Sequence, residues 1–166
     1  MTTLPEVLTD PDVEIVDLRT SLDDGSFERR RPAVESRRNR AVAGILRDGD
    51  GRLLLVRYRG ADSFDGWRLP GSGVGEVTDF DGRLRAAVEA DLGVSVASVT
   101  PRWVYRQVGV HGDETAPLFY VVCRITLDRG PAGRDLPTRE NVEARWFESP
   151  PDDLVNTTVV RDRFGD

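Results

Sequence analysis

Residues 67–94 read WRLPGSGVGEVTDFDGRLRAAVEADLGV, a glycine-rich turn running into a helix and then a glycine stop. The spacing predicts a helix over about 79–92. Thr78 and Asp81 stand in N-cap and N3 positions, where short polar side chains satisfy the first free backbone N–H groups. Phe80, Leu84, Ala87 and Val88 recur at helical spacing and make one apolar face. Gly93 falls where helices commonly end in a left-handed turn.

Working outward, residues 41–58, AVAGILRDGDGRLLLVRY, form a hairpin pattern. Two apolar runs flank Asp48-Gly49-Asp50-Gly51, whose glycines accept positive φ. Val13, Ile15 and Val16 suggest a short strand, ended by the turn-rich SLDDGS. Beyond the helix, residues 99–110 and 118–127 are long strand candidates joined by HGDETAP. A loop rich in glycine and proline leads to EARWF at 143–147, a further strand, and a last helix is expected over 154–163. Strands, one capped helix, more strands and a terminal helix make an α+β or α/β sandwich with a mixed sheet.

The 166 residues suit one domain, large enough to bury a core without disulfides or metals. Cys123 stands alone, which excludes an internal disulfide and a cysteine zinc site. No apolar run reaches the roughly 20 residues of a membrane span, and the acidic N-terminus has no secretory pattern. A cytoplasmic protein is the expectation. All 23 basic residues are arginine, and the net charge of −6 argues against general binding to a nucleic-acid backbone. A lysine-free, aspartate-rich composition fits a GC-rich genome or high salt, and says nothing of the reaction. Charge is segregated: residues 1–26 sum to −6 (seven acids, one Arg) and residues 27–40 to +4 (six Arg, two Glu). These neighbours are expected to neutralise each other within the protein or across a dimer.

The hairpin, the WxLPGxGV turn, a helix closing in LGV, paired strands and a late EARWF before a PxDL-like turn together resemble the Nudix family. The resemblance covers residues 39–166 and implies an αβα sandwich, with residues 1–38 as an N-terminal extension. The family motif is G-x5-E-x7-R-E-U-x-E-E-x-G-U, with U aliphatic. Its glutamates hold magnesium ions that bridge a pyrophosphate and activate water. On this chain the leading glycine falls on Ser72, the first glutamate on Thr78, the R-E pair on Ala86 and Ala87, and the E-E pair on Ala90 and Asp91. Asp91 is therefore the surviving candidate metal ligand, one methylene shorter. Shifting the helix by one residue to recruit Glu89 would move Gly93 off its stop position and turn the apolar face.

The resemblance implies further candidates. Glu76, Glu140 and Glu143 are candidate catalytic carboxylates, and Arg57, Arg68, Tyr105 and Arg106 candidate ligand contacts. The reading is a divergent Nudix-fold protein binding a nucleotide-like or phosphorylated small molecule, with weak or no hydrolysis and no tightly bound cofactor. The alternative is an active magnesium-dependent hydrolase of a nucleoside diphosphate linked to another moiety, with Asp91, Glu76 and Glu140 or Glu143 at its metal site. Nudix proteins often dimerise, and the strand near Val13 to Val16 is a candidate for pairing across a two-fold axis.

Overall fold

The computed structural model describes residues 3–36, 38–60, 66–74, 79–128, 136 and 138–165. In chain order the elements are α1 (Leu4–Thr9), β1 (Glu14–Ser21), α2 (Asp24–Glu35), β2 (Arg40–Ile45), β3 (Leu53–Tyr58), β4 (Gly71–Gly73), α3 (Phe80–Leu92), β5 (Val96–His111), β6 (Glu114–Leu127), β7 (Val142–Phe147) and α4 (Thr157–Phe164). One sheet has the order β1-β5-β6-β2-β4, and β3 pairs with β7 in a second. β1 runs parallel to β5, with Glu14 opposite Trp103 and Ser21 opposite Val110. The β5–β6 turn is only Gly112-Asp113, which forces those strands antiparallel. The sheet is therefore mixed, as expected.

α3 matches its sequence reading closely. Phe80, Leu84 and Val88 are at most 1% exposed, and Gly93 has φ 63° with its N–H on the Glu89 carbonyl. The described cap is Asp79, whose carboxylate accepts from the Gly82 N–H at 3.2 Å. Thr78 lies outside the described residues. Glu89 accepts from the Val96 N–H at 3.0 Å, a structural bond that fits its exclusion as a metal ligand.

Two expectations need correction, and one element was not anticipated. The 41–58 hairpin turn exists, held by Asp48 accepting from the Asp50 and Arg52 N–H groups, but β2 and β3 then diverge into different sheets. Residues on both strands are buried on successive positions, so each leaves the turn to be covered on two faces. The seven-residue loop HGDETAP shrinks to two residues, because β5 and β6 continue through it. The basic segment contains a helix: Asp23 caps α2 by accepting from Ser26 N–H, and Phe27 alone is buried. With one buried residue and Pro32 inside it, α2 carries no apolar stripe to read.

The chain clusters into two compact units, one of residues 1–43, 72–84 and 100–123, the other of 44–71, 85–99 and 124–166. In the first, the charge pairing is internal but its partners differ from those expected. Asp17 takes both forks of Arg106 at 2.6 and 2.7 Å, Asp24 meets His111, and Arg31 reaches Glu28 at 3.2 Å and Glu114 at 3.0 Å. β1 lies beside β5, so its acids find that strand's cations and not the arginines next in sequence. Gly109 makes room for this arrangement, since a Cβ there would meet Leu22 at 2.3 Å and Arg30 at 2.8 Å. In the second unit, Leu53, Leu54, Leu55 and Val56 are fully buried with Val88, Leu92, Val159 and Val160. No helix of the described residues is long and apolar enough to cross a membrane.

Candidate functional site

The site is built from the C-terminal end of α3, the end of β3 and the turn before β7, all within the second unit. Asp91 is 6% exposed although charged, on a helix segment flanked by buried Val88 and Leu92. A buried carboxylate demands compensation. Tyr58, the last residue of β3, donates its hydroxyl to Asp91 Oδ2 at 2.9 Å. Arg139 places Nη2 2.9 Å from Oδ1. Its backbone N–H also binds the Asp91 carbonyl at 2.9 Å, satisfying one of the carbonyls a helix end leaves free. A guanidinium at this end also meets the negative pole of the helix dipole. Burial, then the Asp91 charge, raises the Tyr58 hydroxyl's pKa, so it stays a donor.

The turn that presents Arg139 is itself fixed. The Val142 N–H binds the Arg139 carbonyl at 3.1 Å, and the Arg59 N–H binds the Asn141 carbonyl at 2.7 Å. Asn141 sits at φ 72°, a left-handed conformation that asparagine tolerates. Beyond it, Glu143 is clamped between two cations, Oε2 to Arg59 at 2.6 Å and Oε1 to Arg145 at 2.9 Å. The Arg59 hydrogen bond, with the Arg145 and Arg57 charges, holds Glu143 below the usual carboxylate range. A carboxylate so held is a poor proton acceptor near neutrality.

The other expected site residues fall in different places. Arg57 pairs with Asp153 and stacks 4.6 Å over Trp67. Arg68 lies 5.6 Å over the Tyr58 ring. Glu140 is exposed at the turn. Glu76 lies outside the described residues. Tyr105 corrects its expectation: it has no exposed surface, because Trp103, Val104 and Tyr105 are buried in succession on β5, and it fills the core of the first unit. Arg106 is paired with Asp17 of β1. Tyr58 and Arg139 were not anticipated. The available signal was Asp91 itself, a charge on the buried side of an otherwise apolar helix face.

Could these residues hold magnesium? Each Asp91 oxygen already has a partner, the Tyr58 hydroxyl on one and the Arg139 guanidinium on the other. No group of three or more His, Cys, Asp or Glu side chains able to hold a metal occurs among the described residues. The described donor set does not fit a magnesium site on α3.

Comparison with solved structures settles the architecture. A MutT structure from work on the fish pathogen Aliivibrio salmonicida and the mesophile Vibrio cholerae superposes with TM-score 0.53 at 18% identity, covering 76% of this chain and 98% of that one. The fold is Nudix-like. A MutT Nudix hydrolase from Burkholderia pseudomallei gives TM-score 0.53 at 18% identity, over 74% of this chain and 93% of that one. A UDP-X diphosphatase gives 0.51 at 16% identity, over 76% and 59%. The sequence itself matches no family model and no curated protein. At these identities the Nudix-like fold is what the neighbours share with this chain.

Proposed function

We propose that this chain is a divergent Nudix-fold protein that binds a nucleotide-like or otherwise phosphorylated small molecule and hydrolyses it weakly or not at all. One observation carries the reading: the carboxylate that the resemblance assigns to magnesium has one oxygen on Tyr58 and the other on Arg139. To bind there, a divalent ion would have to displace a guanidinium and would gain one short carboxylate. Magnesium sheds its water reluctantly and needs more than that. The alanines at 86, 87 and 90 are strong helix formers and offer no ligand. Neighbours named for MutT and for a UDP-X diphosphatase support a nucleotide-derived ligand. The rival reading, a magnesium-dependent hydrolase, rests on Glu76 and Glu140 or Glu143 joining Asp91.

The deciding assay uses ADP-ribose, 8-oxo nucleotides and dinucleoside polyphosphates with excess magnesium. Turnover near background is expected. An ordinary enzyme's rate, about 1–10³ per second, abolished by Glu76→Gln or Asp91→Asn, would establish the hydrolase instead.

A further inference from the structure

We propose that Glu143 is a resident anion in a phosphate site, and that a ligand's phosphate replaces it between Arg59 and Arg145. The proposal deepens the ligand-binding reading above by naming where the phosphate sits. The β3–β7 register puts Arg57 opposite Glu143 and Leu55 opposite Arg145. Alternation along the strands then places Arg57, Glu143 and Arg145 on one face, and Arg59, one residue past β3, reaches Glu143 there. Each oxygen of Glu143 takes a separate guanidinium, which is how two arginines would divide the oxygens of a phosphate. Both arginines are open to solvent, with side chains 68% and 65% exposed, while Glu143 between them is 19% exposed. Arg57 and Arg145 also stack on the Trp67 ring, at 4.6 and 5.5 Å, which restrains their guanidinium planes.

A cavity of about 280 Å³ opens beside this clamp, lined by Arg59, Glu143, Thr138 and Asn141 with apolar Leu136 and Val142. Ligand pockets run from about 300 Å³ upward, so it suits one compact ring or sugar. Its mixed hydroxyl, amide and aliphatic lining fits the organic part of a phosphorylated small molecule. Two guanidiniums around one carboxylate leave an excess positive charge. A phosphate, with more oxygens and up to two charges, uses the arginine forks more fully than Glu143 does. Because Glu143 is tethered in place, it competes with every ligand and holds affinity down.

The test is isothermal titration of the full chain with inorganic pyrophosphate in EDTA, so that neither metal nor hydrolysis enters. Wild type should bind weakly. Glu143→Gln and Glu143→Ala should each bind about tenfold tighter, by removing the competing charge. Adding Arg59→Ala or Arg145→Ala to Glu143→Gln should erase the gain, while Arg161→Ala on α4 should leave it. Thermal melts identify any variant that fails to fold, and the paired Gln and Ala substitutions keep the comparison decisive. Binding that is no tighter in both Glu143 variants, or undiminished without the two arginines, overturns the site. That failure would leave the hydrolysis assay untouched, just as brisk turnover there would leave this titration standing.

Discussion

Asp91 at the end of α3 and Glu143 at the start of β7 are both held by arginine, yet the two regions treat the charge in opposite ways. Asp91 is sealed: its oxygens end on a buried hydroxyl and on an arginine whose backbone is also tied to the helix. Glu143 keeps 19% of its side chain exposed and sits between two solvent-facing guanidiniums beside a cavity, where Asp91 meets one. The first arrangement ties the end of α3 to the turn before β7. The second sets two exposed cations around one carboxylate. On the proposed reading it is the β3–β7 ribbon, and not the helix, that meets the ligand's phosphate.

The largest test of the contrast lies in the helix core. Phe80→Ala should destabilise by about 3–5 kcal/mol in urea unfolding, as for a fully buried aromatic. A loss below roughly 1 kcal/mol would mean that α3 is not the packed scaffold the comparison requires. Next, Arg139→Ala should cost about 1–3 kcal/mol, since it strips a buried carboxylate of its counter-charge while Tyr58 and entering water compensate in part. A double-mutant cycle with Asp91→Ala should return a positive coupling; simple additivity would place Arg139 with the surface pairs, and the contrast with Glu143 would vanish. Tyr58→Phe should cost about 1 kcal/mol by the same measurement.

Glu143→Gln should change stability least, by a few tenths of a kcal/mol at neutral pH, because both arginines are largely exposed and solvent screens their attraction to it. Its signature is in pH. The carboxylate is lowered in the folded state from an ordinary 4.5, so the stability it contributes is present above that value. As pH falls below 4.5 toward and through the lowered value, that contribution is lost. The gap between wild type and Glu143→Gln should therefore close on acidification. A gap that widens there would show that another group governs the clamp.

Much of this fold was legible because local signals agreed. The apolar spacing of Phe80, Leu84 and Val88, the glycine at 93 and the EARWF strand all pointed to elements that formed within a residue or two of their expected bounds. α2 was not legible, since a helix that buries only Phe27 leaves no periodic trace. The divergence of β2 from β3 was hidden for a related reason: a short turn predicts the turn, and not the sheets its strands go on to join. At the site, Asp91 could be named from spacing, but Tyr58 and Arg139 are 33 and 48 positions away in number (91 − 58 and 139 − 91) and meet it only through the tertiary fold. Glu143 could be named as a candidate catalytic carboxylate, but its place between Arg59 and Arg145 follows only from the β3–β7 pairing. Tyr105 misled because an aromatic on an alternating strand reads the same whether it faces a cleft or a core.

The tie between Arg139 and Asp91 also constrains what mutation can reach. For α3 to acquire a metal site, carboxylates must appear on the helix and the arginine must leave. Ala87→Glu alone puts a like charge four residues before Asp91, an unfavourable i,i+4 pair. Losing Arg139 alone strands Asp91 without its counter-charge. Each single step lowers stability, so the helix keeps its fold best when the added carboxylate and the loss of the arginine come together.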